Sequence, residues 1–299
     1  MKIFDCFMFY DEEMILDFRL NYLNSYVDKF VIVESSYTHS GKKRELLFDI
    51  KKYKKFKDKI SYIILDEEPK DLFVVRDSDQ PDKKNSKYIL NALKRENLQR
   101  NTIIKGLEEA SPEDIIIVSD VDEIPNLEKN NLKNIKNKII LFNQNFFYYK
   151  FNLKLDSFDW YGTKACKKQD LKSPQWLRNI KSKKYPIWRI DTLFSETKHN
   201  DIYFIKNGGW HFSNMKTPED IDKKMSTYLH HREYDLNPLG SEKIAERIRD
   251  RKTVYNLKTD MKTDKFDGTQ DLVVTDLKEL PIYIQNNLEK YKEWLELKK

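Results

Sequence analysis

The chain has 299 residues, with 39% hydrophobic and 35% charged side chains and only 7 glycines. Apolar blocks between polar stretches exclude a disordered chain, and the few glycines exclude a collagen-like one. The formal net charge is +6 and is spread along the chain, which excludes a dedicated nucleic-acid binder with one concentrated basic patch.

Residues 2–9, KIFDCFMF, predict a strand. Asp11 is expected to cap a following helix, with Glu12 and Glu13 suiting its electropositive start. Ile15, Phe18, Tyr22 and Tyr26 then recur every three or four residues and give one apolar face. Phe30–Glu34, FVIVE, predicts a strand ending in a carboxylate. Lys51–Lys59 is the densest basic run. It reads as a solvated helix face or, functionally, as an attraction to a phosphate-bearing acceptor or an anionic membrane surface. Peripheral membrane association is therefore an open expectation. Ile60–Leu65 predicts another strand, and 66–87 a long polar loop.

A helix is expected over Tyr88–Ala110, broken by Ser111-Pro112. Asp114–Ser119, DIIIVS, has the almost wholly apolar character of a central strand buried on both faces. Ile139–Leu155 predicts one or two strands, and Ile202–Ile205 a further one. Helices are expected near 218–232, 241–251 and 281–297, the first with Thr217 as cap and Pro218 in its first turn. The succession strand, helix, strand, strand, helix, strand implies an α/β fold with a mainly parallel central sheet and a helical C-terminal part. No repeat or low-complexity linker divides the chain, so one unit over 1–299 is expected.

The N-terminal MKIFDCFMFYDEEM is not a signal peptide, because Asp5 interrupts its apolar stretch and acids follow at once. No stretch approaches the roughly 20 apolar residues of a membrane span. The two cysteines, Cys6 and Cys166, make neither a disulfide framework nor a zinc site. A soluble, cytoplasmic chain is expected.

The sharpest motif is SDVDEIP, Ser119–Pro125. It places three carboxylates at the carboxyl end of a hydrophobic strand, where open α/β sheets bind ligands. Unpaired acids there need a counter-charge, and a divalent cation, Mg²⁺ or Mn²⁺, is the natural partner. In an extended segment Asp120 and Asp122 point to the same side. One would hold the cation while the other meets a ribose hydroxyl or a metal-bound water. Without its context, an Asp-x-Asp is also common in ordinary turns.

In Gly208-Gly209-Trp210-His211-Phe212-Ser213, His211 offers a nitrogen ligand to the same cation or a structural imidazole. Trp210 stacks on a sugar face or fills core. Glu34 and the hydroxyl-rich Ser35–Gly41 read either as a base- or ribose-binding strand end or as an ordinary turn.

At these residues the sequence resembles glycosyltransferase family 17, which includes the β-1,4-mannosyl-glycoprotein 4-β-N-acetylglucosaminyltransferases. The resemblance rests on FDCFMFYDEEMILDFRLNYL from Phe4, VDKFVIVESSYTHSGK from Val27, ENLQRNTIIKGLEEASPEDIIIVSDVDEIP from Glu96, NGGWHFS from Asn207 and LPIYIQNNLEKY from Leu280. It is thin over 42–87 and 165–200. It implies a GT-A-like nucleotide-sugar-binding fold. About 1–150 would then hold donor and cation, and about 151–299 the acceptor. It also implies a UDP-sugar donor, N-acetylglucosamine most of all, a glycan acceptor, a divalent cation at the Asp-x-Asp, and inversion at the anomeric carbon. Residue by residue, Asp120 and Asp122 match the family's metal and nucleotide acids, and Glu123 the acid after them. Glu34, Ser35, His39 and Ser40 match its early strand-end motif, Arg100 the arginine before the central strand, and Trp210 and His211 its Gly-Trp-His segment. Two departures are the missing N-terminal membrane anchor of the mammalian members and the lysine-rich stretch Lys164–Lys184.

An inverting transfer needs a general base near the acceptor hydroxyl. Asp156, Asp159, Asp191 and Glu196 are the choices in the second half, with Asp191 preferred and Glu123 in reserve. Arg100 and Arg189 read either as ligands of the diphosphate, since guanidinium suits phosphate oxygens, or as structural ion-pair members. The rivals are a metal-dependent phosphohydrolase, which would want a second acid cluster, and a non-catalytic carbohydrate-binding protein, which would not need an acidic motif on a buried strand.

Overall fold

The structure, a computed structural model, describes residues 1–186, 188–227, 234, 237–257 and 268–296. Its frame is a ten-stranded sheet. Strand β1 (Ile3–Phe9) is followed by helix α1 (Glu13–Leu23), β2 (Lys29–Ser35) and β3 (Ile60–Leu65). Helix α2 (Pro81–Asn101) leads into β4 (Ile115–Asp120), whose continuous apolar run sits between β1 and a later strand. Strands β1, β2, β3 and β4 are mutually parallel, in the order β3-β2-β1-β4. This is the parallel part expected from the sequence.

The remaining strands make the sheet mixed. They are β5 (Glu123–Pro125), β6 (Ile139–Tyr148), β7 (Leu153–Trp160), β8 (Lys164–Lys167), β9 (Ile202–Ser213) and β10 (Val273–Val274). Strand β8 bridges β4 and β6 with antiparallel pairing on both sides. Strand β9 runs parallel to β6 and antiparallel to β5. The single expected span Ile139–Leu155 is thus the antiparallel pair β6 and β7.

Successive side chains of β1 serve two cores. Ile3, Phe7 and Phe9 pack with Phe18 and Leu20 of α1, whereas Phe4 and Cys6 pack with Val31, Val33, Ile116 and Val118 on the other face. Cys6 and Cys166 are both free and buried, and burial pushes both thiols up. Asp5 faces α1, where Arg19 neutralises it at 2.6 Å with both side chains fully buried.

Several boundaries differ from expectation. Asp11 does not cap α1. Its carboxylate is taken by Lys216, and the N-cap position is Glu12, without a side-chain cap bond. Helix α2 starts at Pro81, a residue suited to a first turn, so the polar loop is shorter than expected. It ends at Asn101, because Thr102-Ile103-Ile104 is β-branched and the Thr102 hydroxyl donates to the Leu98 carbonyl at 2.8 Å. The Lys51–Lys59 run lies largely on a 3-10 turn, with Tyr53 and Phe56 buried and the lysines on the solvent side.

In the second half, α3 (Pro174–Asn179), α4 (Asp191–Phe194), α5 (Pro218–Met225) and α6 (Ser241–Arg249) are short. Thr217 caps α5 as expected, accepting from the Asp220 N–H at 3.2 Å. Residues 228–232 of that expected helix lie outside the described residues. The expected helix over 281–297 is only α7 (Ile282–Gln285), stopped at Asn286-Asn287, with a 3-10 turn later at Lys292–Trp294. Among the described residues no helix is long and apolar enough to cross a membrane.

Candidate active site

After β1 the chain adds β2 and β3 on one side and then crosses to add β4 on the other. The reversal leaves a crevice at the carboxyl ends of β1 and β4, the position where α/β sheets bind ligands. Register aligns Met8 with Asp120 across β1 and β4, and Phe9 with Glu34 across β1 and β2. A cavity of about 390 Å³ opens there. Of the expected residues, Ser35, His39, Arg100, Asp120, Asp122 and His211 line it.

The acidic motif is held from behind. Arg19 donates to the carbonyls of Asp120, Val121 and Glu123 at 3.0, 3.1 and 2.8 Å and to the Ser119 hydroxyl at 2.5 Å. The chain turns at Val121-Asp122, then Glu123 pairs with His211 across β5 and β9. Asp120 and Asp122 therefore reach the same cavity through a turn and not through extended alternation. Gly209 permits the β9 side of this pairing. Its φ is +140°, and a Cβ there would lie 2.0 Å from the Ile124 carbonyl oxygen.

Asp120 is clamped by two arginines. Arg100 Nη2 lies 3.0 Å from Oδ1 and Arg178 Nη2 lies 2.9 Å from Oδ2. Burial opposes ionisation of Asp120, but the Arg178 and Arg100 guanidiniums outweigh it and hold the carboxyl well below the usual range. Asp122 faces His211, with Nε2 3.5 Å from Oδ1. Burial again opposes ionisation, and His211 outweighs it, so this carboxyl too is lowered. The His211 ring stacks on Trp160, with centroids 4.8 Å apart, and its buried Nδ1 has no hydrogen-bond partner among the described residues.

Glu123 is fully buried and fully engaged. It accepts from Trp160 Nε1 and the Asp120 N–H, each at 2.8 Å, and pairs with Arg178 at 2.7 Å. It fixes the turn and does not face the cavity as a base. Glu34 is also internal. It accepts from the N–H groups of Leu47 and Phe48 at 2.7 and 3.0 Å and pairs with Arg44 at 2.9 Å. Its contribution is to position Arg44, which does line the cavity, over the Tyr10 ring. Ser40 lies behind the wall, 2.9 Å from the Thr38 hydroxyl. His39 contacts Gln99 at 3.1 Å, and burial lowers its pKa.

Trp210 is core. Adjacent strand residues face opposite ways, so with His211 in the cavity Trp210 points to Tyr22, and its indole donates to the Glu279 carbonyl at 2.7 Å. The structure does not bring Asp191 and Arg189 to the cavity. They pair with each other at 2.6 Å on the surface, where Lys198 also contacts Asp191 at 2.9 Å. Of the other acids weighed, none of Asp156, Asp159 or Glu196 lines it.

The central residue missing from the sequence-derived set is Arg178. It sits on α3, which Ser173 caps by accepting from the Trp176 N–H at 3.1 Å. Lys164 holds the far end of that helix, donating to the Arg178 carbonyl at 2.6 Å and to that of Ile180. Ser173-Pro174 is a helix-start signal visible in the sequence, but nothing local marks Arg178 as the partner of acids 55 and 58 residues away. Arg178 stands behind Asp120 and is not itself part of the cavity lining; Gln99, Trp160 and Lys224, not singled out from sequence, line it, as does Glu12, expected only as a helix-start acid.

Fold and site together define an α/β protein with a charged ligand cavity at the switch point of its parallel strands. The model of Glycosyltransferase family 17 matches residues 1–296, and the chain belongs to that family. It is a glycosyltransferase, and the phosphohydrolase and carbohydrate-binding alternatives give way to that membership. No curated protein matches the sequence. Among solved structures the chain is similar to a putative glucose-1-phosphate thymidylyltransferase from Bacillus anthracis in complex with a sucrose. The identity is 11%, the TM-score 0.32, and the match covers 70% of this chain and 87% of that one.

Proposed function

We propose that the protein is a GT-A-like transferase that binds a nucleotide-sugar donor in the switch-point cavity and passes the sugar, with inversion, to a glycan acceptor. The observation that carries this is the convergence of Asp120, Asp122, His211, Arg100 and Arg178 at the carboxyl ends of parallel strands. A UDP-sugar, with N-acetylglucosamine as its sugar, is the favoured donor, by family membership alone.

The donor chemistry of Asp122 and His211 fits a divalent cation such as Mn²⁺ or Mg²⁺. A carboxylate and an imidazole face the cavity side by side, and the imidazole carries an orphaned buried nitrogen. No cluster of three or more acid, histidine or cysteine ligands exists among the described residues. The cation would therefore share its remaining positions with diphosphate oxygens and water, as Mg²⁺ sites commonly do. When bound, it supplies charge neutralisation for the departing diphosphate.

The remaining work falls to the chain's own side chains. Arg100 and Arg178 hold Asp120, and guanidiniums suit phosphate oxygens equally well. On donor binding Arg100, which lines the cavity, would trade part of its Asp120 contact for phosphate while Arg178 keeps the carboxylate in place. With Asp191 and Glu123 placed elsewhere, Glu12 is the proposed base for the acceptor hydroxyl. It lines the cavity, with the Lys216 charge within electrostatic reach. Its Oε2 accepts from the Tyr10 and Asp11 N–H groups at 3.2 and 3.1 Å, which fixes the carboxylate.

The test is release of nucleoside diphosphate from UDP-N-acetylglucosamine, UDP-galactose and GDP-mannose against a panel of glycan acceptors. Turnover of any donor, dependent on Asp122, supports the proposal. Failure of all donors to bind or turn over contradicts it.

A further inference from the structure

Three large apolar side chains crowd a seven-residue stretch away from the active site. Trp188, Ile190 and Phe194 are 81%, 70% and 85% exposed, the highest exposures of any large hydrophobic among the described residues. Scattered single apolar residues at a surface need no explanation, but three such neighbours do. The backbone around them is folded. The Arg189 N–H donates to the Pro186 carbonyl and the Thr192 N–H to the Arg189 carbonyl, both at 3.1 Å. The base of the segment is pinned where the Lys181 N–H donates to the Thr197 carbonyl at 2.8 Å and Trp176 Nε1 to the Glu196 carbonyl at 2.9 Å. A compact turn thus displays Trp188, Ile190 and Phe194 outward.

The charge beside this tip is strongly one-sided. Residues 181–198 contain five basic and two acidic side chains, a net charge of +3. Asp191 is committed to Arg189 and Lys198 within the segment. Lys181, Lys183 and Lys184 are exposed and have no ion-pair partner among the described residues. An exposed tryptophan, isoleucine and phenylalanine with adjacent lysines is the arrangement that inserts into the headgroup boundary of a bilayer while cations meet lipid phosphates.

We propose that the Trp188–Phe194 tip and the Lys181, Lys183 and Lys184 collar form a peripheral docking site for an anionic membrane surface. Ile190 decides between lipid and carbohydrate. An aliphatic side chain 70% exposed gives a bilayer apolar depth, whereas a sugar face stacks on aromatic rings. The segment leaves the fold three residues after Arg178, so docking would hold the candidate active site beside the membrane and favour acceptors carried there. The docking itself does not depend on which sugar is transferred, or on transfer at all.

The experiment is co-sedimentation of the full chain with vesicles of phosphatidylcholine alone and of phosphatidylcholine with phosphatidylglycerol, at low and high salt. The W188A/F194A and K183A/K184A variants are compared with wild type, and their melting temperatures checked. The expected result is binding to anionic vesicles that weakens with salt and falls on the order of tenfold or more in each variant, with melting unchanged. Brominated acyl chains should quench wild-type tryptophan fluorescence, and Trp188→Phe should remove that quenching. Two results would overturn the proposal. One is no binding to anionic vesicles, or equal binding by wild type and both variants. The other is absent vesicle binding with a raised acceptor KM in W188A/F194A, which would assign the tip to glycan instead.

Discussion

Arg178 Nη2 sits 2.9 Å from Asp120 Oδ2, joining the helix α3 to an acid 58 residues earlier in the chain. The same guanidinium reaches Glu123 at 2.7 Å and the Gly162 carbonyl. One side chain therefore fixes both ends of the acidic turn. Removing it in Arg178→Ala leaves Glu123 buried without its counter-charge. The expected loss is about 3–5 kcal/mol of stability. Chemical denaturation checks this, and Arg178→Lys should recover part of the loss but not the two-sided geometry.

Gly162 supplies the room for that arrangement. A Cβ at this position would lie 1.7 Å from Glu123 Oε1. Gly162→Ala must push the carboxylate off Arg178 and Trp160. The expected effect is a loss of about 1–3 kcal/mol together with weaker donor binding. Melting and nucleotide titration read the two effects separately.

Lys164 ties stability to pH. Burial, helped by the nearby Arg178 charge, lowers its pKa to about 7. In the unfolded chain its ordinary value is near 10.4. Between these values the unfolded state binds a proton that the folded state does not, so stability rises as pH rises from about 7. Lys164→Met should flatten that part of the curve. Melting temperatures measured from neutral to alkaline pH check it, and parallel slopes for wild type and variant would refute it.

Glu12→Gln tests the proposed base. It keeps the carbonyl oxygen that holds the Tyr10 and Asp11 N–H groups but cannot take a proton. The expected outcome is a fall in kcat of about 10²–10⁴-fold with KM little changed. A kcat within a factor of two of wild type would remove Glu12 from the mechanism.

Much of this was legible in the sequence, and the exceptions share a cause. Apolar runs ending in acids announced β4 and the acidic motif at its end, because a buried strand has a strong local pattern, but the turn at Val121-Asp122 replaces the extended segment expected there. Glu34 carries the same local signal as Asp120, yet it turns inward to Arg44 and two backbone N–H groups. Which side of a strand end faces the ligand is set by neighbours, not by the strand's own residues. Trp210 and His211 could have been separated by alternation had 202–213 been recognised as one strand. Arg178 and Lys164 lay in the lysine-rich stretch, where composition suggests only surface. Their roles depend on partners 55 to 58 residues away or on helix carbonyls, and no local pattern encodes those.

The central claim is that Asp122, with His211, receives a cation that carries the donor diphosphate. Calorimetric titration of UDP with and without Mn²⁺, on wild type and Asp122→Ala, tests it most directly. The account predicts UDP binding that requires Mn²⁺ and weakens on the order of a hundredfold or more in the variant. UDP binding of equal strength with and without Mn²⁺, unchanged by Asp122→Ala, would contradict it.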